Sequence, residues 1–431
     1  MNQFFQASSP RQIKEILDFC NVNSIEIIEW KQNSRWQNKI KMAGLADCIP
    51  RYLVFPNTTV MLSQLVNFAY RNHCRVIPTG EGTKLSWGGL SQPADLLISM
   101  VNFNGVVEYG EKDLVITVQG GMKIKDLNHF LASRGQFVPI DPFFEDDATV
   151  GGVVATGNSL CWRQRYGGVR DLILGLSFVR ADGEAVKAGG KVVKNVAGYD
   201  LMKLFTGSYG SLGIITEVTF RVYPLMASSS SVFITGEKKV LGVLRNMITQ
   251  SSLTPTMADF VAHYSAIGAL GSGADFGLGI RFEGIKPSVE QQVKQVESWA
   301  EDLGLSSLVF GDALERNFWK DIKVMDYPTI CKVGLMGNRI INLFSRFGYE
   351  GFINISSGVG FVFLGEDIRA HQVLALRRFC EDNGGYLSMV RSPLALQKQV
   401  EPWGYVGNGL EMMKKIKEKF DPQGVFYNRL F

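Results

Sequence analysis

Glycine, threonine and lysine crowd into Pro78–Gly89, Pro-Thr-Gly-Glu-Gly-Thr-Lys-Leu-Ser-Trp-Gly-Gly, directly after the apolar pair Val76-Ile77. Glycine admits φ > 0 and turns neighbouring N–H groups toward one point, and without a Cβ it lets an anion come close to the backbone. The chemistry this composition suggests is the cradling of a diphosphate. Two familiar versions are excluded. Gly80-x-Gly82 has no third glycine three positions on, so it is not the nicotinamide-dinucleotide fingerprint. Thr83 precedes Lys84 without the spacing of a nucleotide-triphosphate loop. A dinucleotide held here needs further segments.

Such segments follow in order. Ala148–Asn158, Ala-Thr-Val-Gly-Gly-Val-Val-Ala-Thr-Gly-Asn, is small, uncharged and glycine-rich, and leaves room for a flat ring or a ribityl chain against the backbone. Read alone, it is equally a closely packed buried strand. Arg165-Tyr166-Gly167-Gly168-Val169-Arg170-Asp171, Ala188–Asp200 and Thr206–Glu217 come next. Of the 46 glycines in the chain, 22 fall between Pro78 and Gly213, which marks this half as the place where backbone meets a ligand or turns tightly.

In this order and spacing the segments resemble the FAD-binding domain of the vanillyl-alcohol-oxidase-like (PCMH-type) flavoproteins, and among them the FAD-binding subunits of glycolate oxidases. The likeness covers about residues 46–225. It is carried by Gly82-Thr83-Lys84 with Trp87-Gly88-Gly89, by Tyr166-Gly167 with Arg170-Asp171, by the long run Gly189-Gly190-Lys191-Val192-Val193-Lys194-Asn195-Val196-Ala197-Gly198-Tyr199-Asp200-Leu201, and by the closing Phe420-Asp421-Pro422-Gln423-Gly424-Val425-Phe426. The resemblance implies an FAD between two α+β subdomains, its pyrophosphate on Thr79, Gly80, Glu81, Gly82 and Thr83 with Lys84 and Trp87 beside it. It implies that Thr149, Gly151, Gly152, Ala155, Thr156 and Asn158 run along the ribityl chain and flavin, that Tyr166 belongs to the site, and that Gly213, Ile214 and Ile215 meet the adenine or the flavin edge. It also implies a cap domain after Pro224 that covers the face where substrate binds.

Departures from the family pattern refine the expectation. Members that bind FAD covalently use a histidine in the phosphate loop or a cysteine near the second segment. This loop has no histidine, and Cys161 lies outside the small-residue run, so non-covalent FAD is expected. Ser159-Leu160-Cys161-Trp162-Arg163 stands where Ser-Gly-Pro-Arg is usual, and Tyr427-Asn428-Arg429-Leu430-Phe431 lacks the usual Asn-Pro-Gly-Arg ending. Related catalytic subunits carry a histidine-rich metal motif. Here the four histidines, His73, His129, His263 and His371, lie far apart, and no metal site is expected. No residue is assigned as catalytic. His263, Tyr264, Arg281 and Lys332 are candidate bases by residue type alone.

The resemblance therefore implies an oxidoreductase subunit that oxidises a 2-hydroxy acid such as glycolate or D-lactate and hands electrons to a second flavin subunit and an iron–sulfur subunit. The six cysteines are scattered with no Cys-x-x-Cys, so such a cluster would sit in a partner. A stand-alone FAD-dependent dehydrogenase and a non-catalytic flavin-binding assembly subunit are the alternatives. A net charge of +4 over 431 residues with no basic block argues against nucleic acid. The longest uncharged run, Tyr52–Tyr70, is broken by Pro56-Asn57-Thr58-Thr59 and is not a membrane span. Free thiols and the absence of a signal-like start suit the cytoplasm, with a peripheral seat at the inner membrane through the partners.

The elements that must position these residues read as α+β. The expected order is an N-terminal extension (1–45), the two-subdomain FAD-binding domain (46–225), a cap domain (226–408) with an antiparallel sheet and helices on one side, and a C-terminal helix and tail (409–431) returning to the FAD domain. Ser9 and Gln12 form a capping-box pattern with Pro10 for a helix over 9–20. Strands are expected at Arg75–Ile77, Leu114–Val118 and Leu172–Arg180, with a hairpin at Asp182-Gly183. Ile214–Val222 alternates like a half-buried strand. After Ser228–Ser231 two similar strand–helix–strand–strand–helix runs follow each other. Lys414-Lys415-Ile416-Lys417-Glu418-Lys419 reads as the solvated face of the last helix.

Overall fold

The computed structural model describes residues 10–42, 52–89, 94–190, 199–323, 327–404 and 409–426. The middle of the long glycine–valine run, 191–198, and the ending 427–431 lie outside the described residues. The chain divides into two compact units: residues up to Asn158 with Val169–Tyr223 and Tyr405–Phe431, and Ser159–Gly168 with Pro224–Gly404.

The first unit holds two main sheets. In the smaller, Tyr52–Phe55, Leu96–Ser99 and Val76–Thr79 run parallel, and Glu26–Glu29 adds antiparallel to Tyr52–Phe55. The helix Thr59–Arg71 connects them. It is capped by Thr58, whose Oγ1 accepts from the Met61 N–H at 3.2 Å, and it buries Leu62, Leu65, Val66 and Ala69. The larger sheet is antiparallel, in the order Val106–Gly110, Val115–Gln119, Ile214–Arg221, Ile173–Val179, Ala185–Gly189. Its last two strands form the expected hairpin, with Gly183 at φ +89°. Ile214–Arg221 lies between two neighbours and is buried on both faces, so its alternation marks an inner strand, not a half-exposed one.

Two expectations change here. Residues 10–42 are not an appendage. Glu26–Glu29 is a sheet strand, and Ile16, Cys20 and Ile25 join the core beneath the helix Thr59–Arg71. Trp30, Trp36 and Ile40, hidden in a polar-looking stretch, fill a second core against Leu53, Ile77 and Leu85. A few large apolar side chains set at helical spacing buried this segment despite its polar composition. The C-terminal lysines are not all solvated either. In the helix Gly409–Phe420, Lys417 is buried, and its Nζ donates to Ser211 O (2.8 Å), Phe426 O (2.9 Å) and the Asp421 carboxylate. Val425 then accepts from the Val76 N–H at 2.7 Å, which ties the chain end to the strand leading into the glycine loop.

The second unit is one eight-stranded antiparallel sheet. Its order is Ser306–Phe310, Ser228–Thr235, Gly277–Gly284, Met257–Ala262, Glu350–Asn354, Val359–Leu364, Thr329–Gly334, Tyr386–Arg391. The strands of the two runs thus mirror each other about the pair Met257–Ala262 and Glu350–Asn354, which is the repeat visible in the sequence. Lys238–Gln250, Lys286–Asp302, Ile340–Phe347 and Ala370–Asp382 bury their apolar stripes on one face. The helix Asp312–Asp321 was not foreseen. It sets Phe318 against Phe233 and Trp319 against Ser231 on the opposite side of its strand neighbours. The serine run is in strand, and Ser229 and Ser231 donate to the buried Glu315 at 2.5 and 2.7 Å.

Candidate functional site: a glycine-walled cleft

The first unit contains a cleft that opens to solvent and encloses about 880 Å³ of empty space. Strand Val76–Thr79 delivers the chain into it, and the loop Gly80–Leu85 forms one wall. Gly82 takes φ +76°, and a Cβ there would come within 3.0 Å of the Trp36 ring. A Cβ on Gly80 would collide with Thr149. Both positions demand glycine, for conformation and for room. Among the described residues, the N–H groups of Glu81, Gly82 and Thr83 donate to no protein acceptor. Consecutive undirected donors on a loop open to a cleft make an anion cradle.

The second wall is helical. Val150–Thr156 is a short helix capped by Thr149, and Gly151, Gly152, Ala155 and Thr156 face the cleft. It is not the closely packed strand that its composition equally allows. A helix wins because Thr149 is a good cap and Gly157, at φ +59°, is a good stop. Its first N–H groups are already taken: Val150 donates to Met122 O (2.8 Å) and Gly151 to Gly120 O (2.6 Å). Of the two walls, the loop is the one that offers consecutive undirected donors among the described residues. Gly151 also lies so close to Gly120 that a Cβ would sit 3.0 Å from its carbonyl oxygen.

Charge is concentrated around Glu81. Its carboxylate is buried in the loop and is met by Arg35, by Lys39 (3.2 Å) and by Lys123 (3.5 Å). Lys39 also donates to the Glu81 carbonyl. Burial pushes the Glu81 carboxyl up, but Lys39 and Arg35 outweigh it and hold the group below the usual carboxylate range. Lys123 is held high by its 2.7 Å bond to Asp147. Three cations thus surround one loop carboxylate, which leaves the neighbourhood of the cradle positive. Lys84 differs. Its Nζ makes one long contact, 3.4 Å to Phe143 O, and lies 5.7 Å from the Trp87 ring centre. Burial without a nearby carboxylate pushes its amine down to about 7.

All the residues expected at the cofactor line this cleft except two. Asn158 lies beneath it, where Oδ1 accepts from the Phe143 N–H at 2.8 Å. Tyr166 belongs to the second unit, where its ring lies 5.6 Å from Trp162. Met100, Gly120, Tyr209 and Gly210 line the cleft and were not foreseen. The signal for Tyr209 was present in its glycine-flanked segment: it takes φ +52° and bonds through its N–H to Ala155 O at 2.8 Å.

The histidines and candidate bases are scattered. His263 is buried in the second unit, with Nδ1 3.1 Å from Ser265 Oγ and 4.0 Å from Glu350, and Nε2 has no partner among the described residues. Arg281 is balanced by Glu283 (2.9 Å) and Glu315 (3.4 Å). Lys332 lies on the strand Thr329–Gly334. Among the described residues no group of His, Cys, Asp and Glu could hold a metal ion, and no helix is long and apolar enough to cross a membrane. Cys161 is fully buried.

Residues 50–189 match the model of a family described as FAD binding domain. The chain is 29% identical over 260 residues to glycolate oxidase subunit GlcD of Bacillus subtilis (58% of this chain, 55% of that one). It is 35% identical to a D-lactate dehydrogenase of Anaerostipes hadrus (45% and 41%) and 32% identical to glycolate oxidase subunit GlcE of Escherichia coli (52% and 57%). The matches thus span about half the length of these relatives. A solved structure of alkyldihydroxyacetonephosphate synthase superposes with TM-score 0.70 at 17% identity, over 98% of this chain and 87% of that one, which shows a shared fold.

Proposed function

Taking residues 50–189 as the FAD binding domain they match, we propose that this chain is the FAD-binding subunit of a glycolate oxidase-like complex, oxidising a small 2-hydroxy acid such as glycolate or D-lactate. The observation that carries the reading is the loop Gly80–Leu85: undirected N–H groups at Glu81, Gly82 and Thr83, glycines where a Cβ would not fit, and a basic surround. These are the needs of a diphosphate. The uncharged helix face at Gly151–Thr156 suits the rest of an extended dinucleotide. FAD, when bound, supplies the acceptor for the two electrons that leave the substrate as hydroxyl becomes oxo.

The chain's own residues bind and orient. The Glu81 cluster fixes the loop, Thr149 and Gly120 fix the helix against it, and Lys84 offers a donor and a charge inside the cleft. FAD is held without a covalent bond, since the loop has no histidine and Cys161 is buried outside the cleft. Electrons pass on to a second flavin subunit and an iron–sulfur subunit. The test is an absorbance spectrum of the purified chain, then anaerobic titration with glycolate and D-lactate. A yellow protein bleached by either supports the reading; a colourless chain that takes up no FAD sinks it. Gly82→Val, which forces a β-branched side chain into φ +76°, loses the flavin. Full flavin content in that variant would overturn the loop's role.

A further inference from the structure

Lys332 sits mid-strand in Thr329–Gly334, paired with Phe361 on one side and Ser388 on the other. Its neighbours Cys331 and Val333 enter the helix-covered core, so alternation turns Lys332 to the opposite face of the sheet. The segment Ser159–Gly168 docks on that face. Gln164 accepts from Asn354 Nδ2 at 3.0 Å, and Trp162 lies 5.3 Å from the Arg281 guanidinium. The short helix Arg163–Tyr166 thereby brings the charge of Arg163 to bear on Lys332.

Among the described residues neither Lys332 nor Arg163 has a carboxylate partner. Arg163 makes one marginal contact, 3.5 Å to Ser159 O. Arg281, on the same sheet, shows the contrast, with two carboxylates to itself. Burial, then the Arg163 charge, push the Lys332 amine down to about 8. Two half-buried cations whose charges act on each other repel, and an anion between them relieves the repulsion.

We propose that Lys332 and Arg163 form a receptor for a small organic carboxylate, the guanidinium offering its planar fork and the ammonium a point charge. Identifying that carboxylate with the substrate's rests on the proposed 2-hydroxy-acid oxidation; the preference for a carboxylate does not. Asn354 and Gln164 act here as positioning residues, fixing the segment that carries Arg163.

Isothermal titration of the purified, FAD-supplemented chain with oxalate and with D-lactate tests this. Lys332→Met and Arg163→Met each weaken binding about tenfold or more, the scale of a lost charged hydrogen bond, and Lys332→Arg restores much of it. Removing an unbalanced charge should not lower the melting temperature of Lys332→Met, so loss of binding is not loss of fold. Binding that neither variant alters overturns the receptor. Binding of inorganic sulfate but of neither carboxylate overturns the ligand class. If no 2-hydroxy acid bleaches the flavin while oxalate binding still disappears in Lys332→Met, the receptor stands and the proposed reaction falls.

Discussion

The C-terminal clasp and the glycine loop each take a lysine out of water, and they treat it in opposite ways. Lys417 has three donors and three oxygens to receive them, on Ser211, Phe426 and Asp421. Asp421 is saturated in turn by the N–H groups of Val425 (2.8 Å) and Phe426 (2.7 Å). Lys84 has one long contact to a carbonyl and opens on the cleft. A closed network holds the chain end to the cleft-wall loop containing Ser211. An open donor in a concave site is free to meet the ligand proposed there. The same residue type is closed into a network in one place and left open on a cleft in the other, and its partners make the difference.

Breaking the clasp has the largest expected effect. Lys417→Met strands the fully buried Asp421 carboxylate, a loss of about 3–5 kcal/mol for a severed buried pair. For a protein of this size the melting temperature falls by about 3–6 °C. Differential scanning calorimetry or fluorescence measures it, and an unchanged melting temperature would break the comparison at its structural end.

The sequence made one side of this contrast legible and concealed the other. The glycine loop was readable because its conformation is written in composition: Gly80 and Gly82 are needed where a side chain has no room. The repeated element order of the second sheet was readable from its strand and helix periods, but the mirrored strand order was not, because pairing is set by tertiary contacts. Lys417 was not, because three neighbouring lysines look alike in a helix, and only tertiary approach of Ser211 and Phe426 singles one out. The burial of residues 10–42 was hidden for a similar reason, since Trp36 and Ile40 stand among charged residues whose side chains turn outward or pair with Glu81. Tyr166 was placed by its motif, but the ten residues Ser159–Gly168 leave the first unit, and nothing local in them signals that departure.

A smaller effect sharpens the comparison at its other end. Lys84→Met removes an unbalanced amine and replaces it with an apolar side chain of similar length. The apo protein keeps or slightly raises its melting temperature, while FAD binding weakens about 10–100-fold, the range for a charged hydrogen bond of ~1.5–3 kcal/mol. Quenching of flavin fluorescence on binding gives the constant. A variant that loses stability and keeps its FAD affinity would place Lys84 with Lys417.

The smallest effect is a pH dependence whose sign separates the two roles of Lys84. Its amine is depressed from 10.5 to about 7 in the cleft. A diphosphate beside it favours the charged form and raises that value, so binding takes up a proton. FAD affinity is full below pH 7 and declines as pH rises through and above 7, by at most about tenfold per unit. The contribution to apo stability runs the other way. Between about 7 and 10.5 the unfolded chain holds this proton and the folded chain does not, so this group's share of stability grows with pH across that window. Lys84→Met flattens both slopes together. An affinity that stays level from pH 6 to 9 in the native chain, with the same level line in Lys84→Met, removes Lys84 from the ligand's side of the cleft.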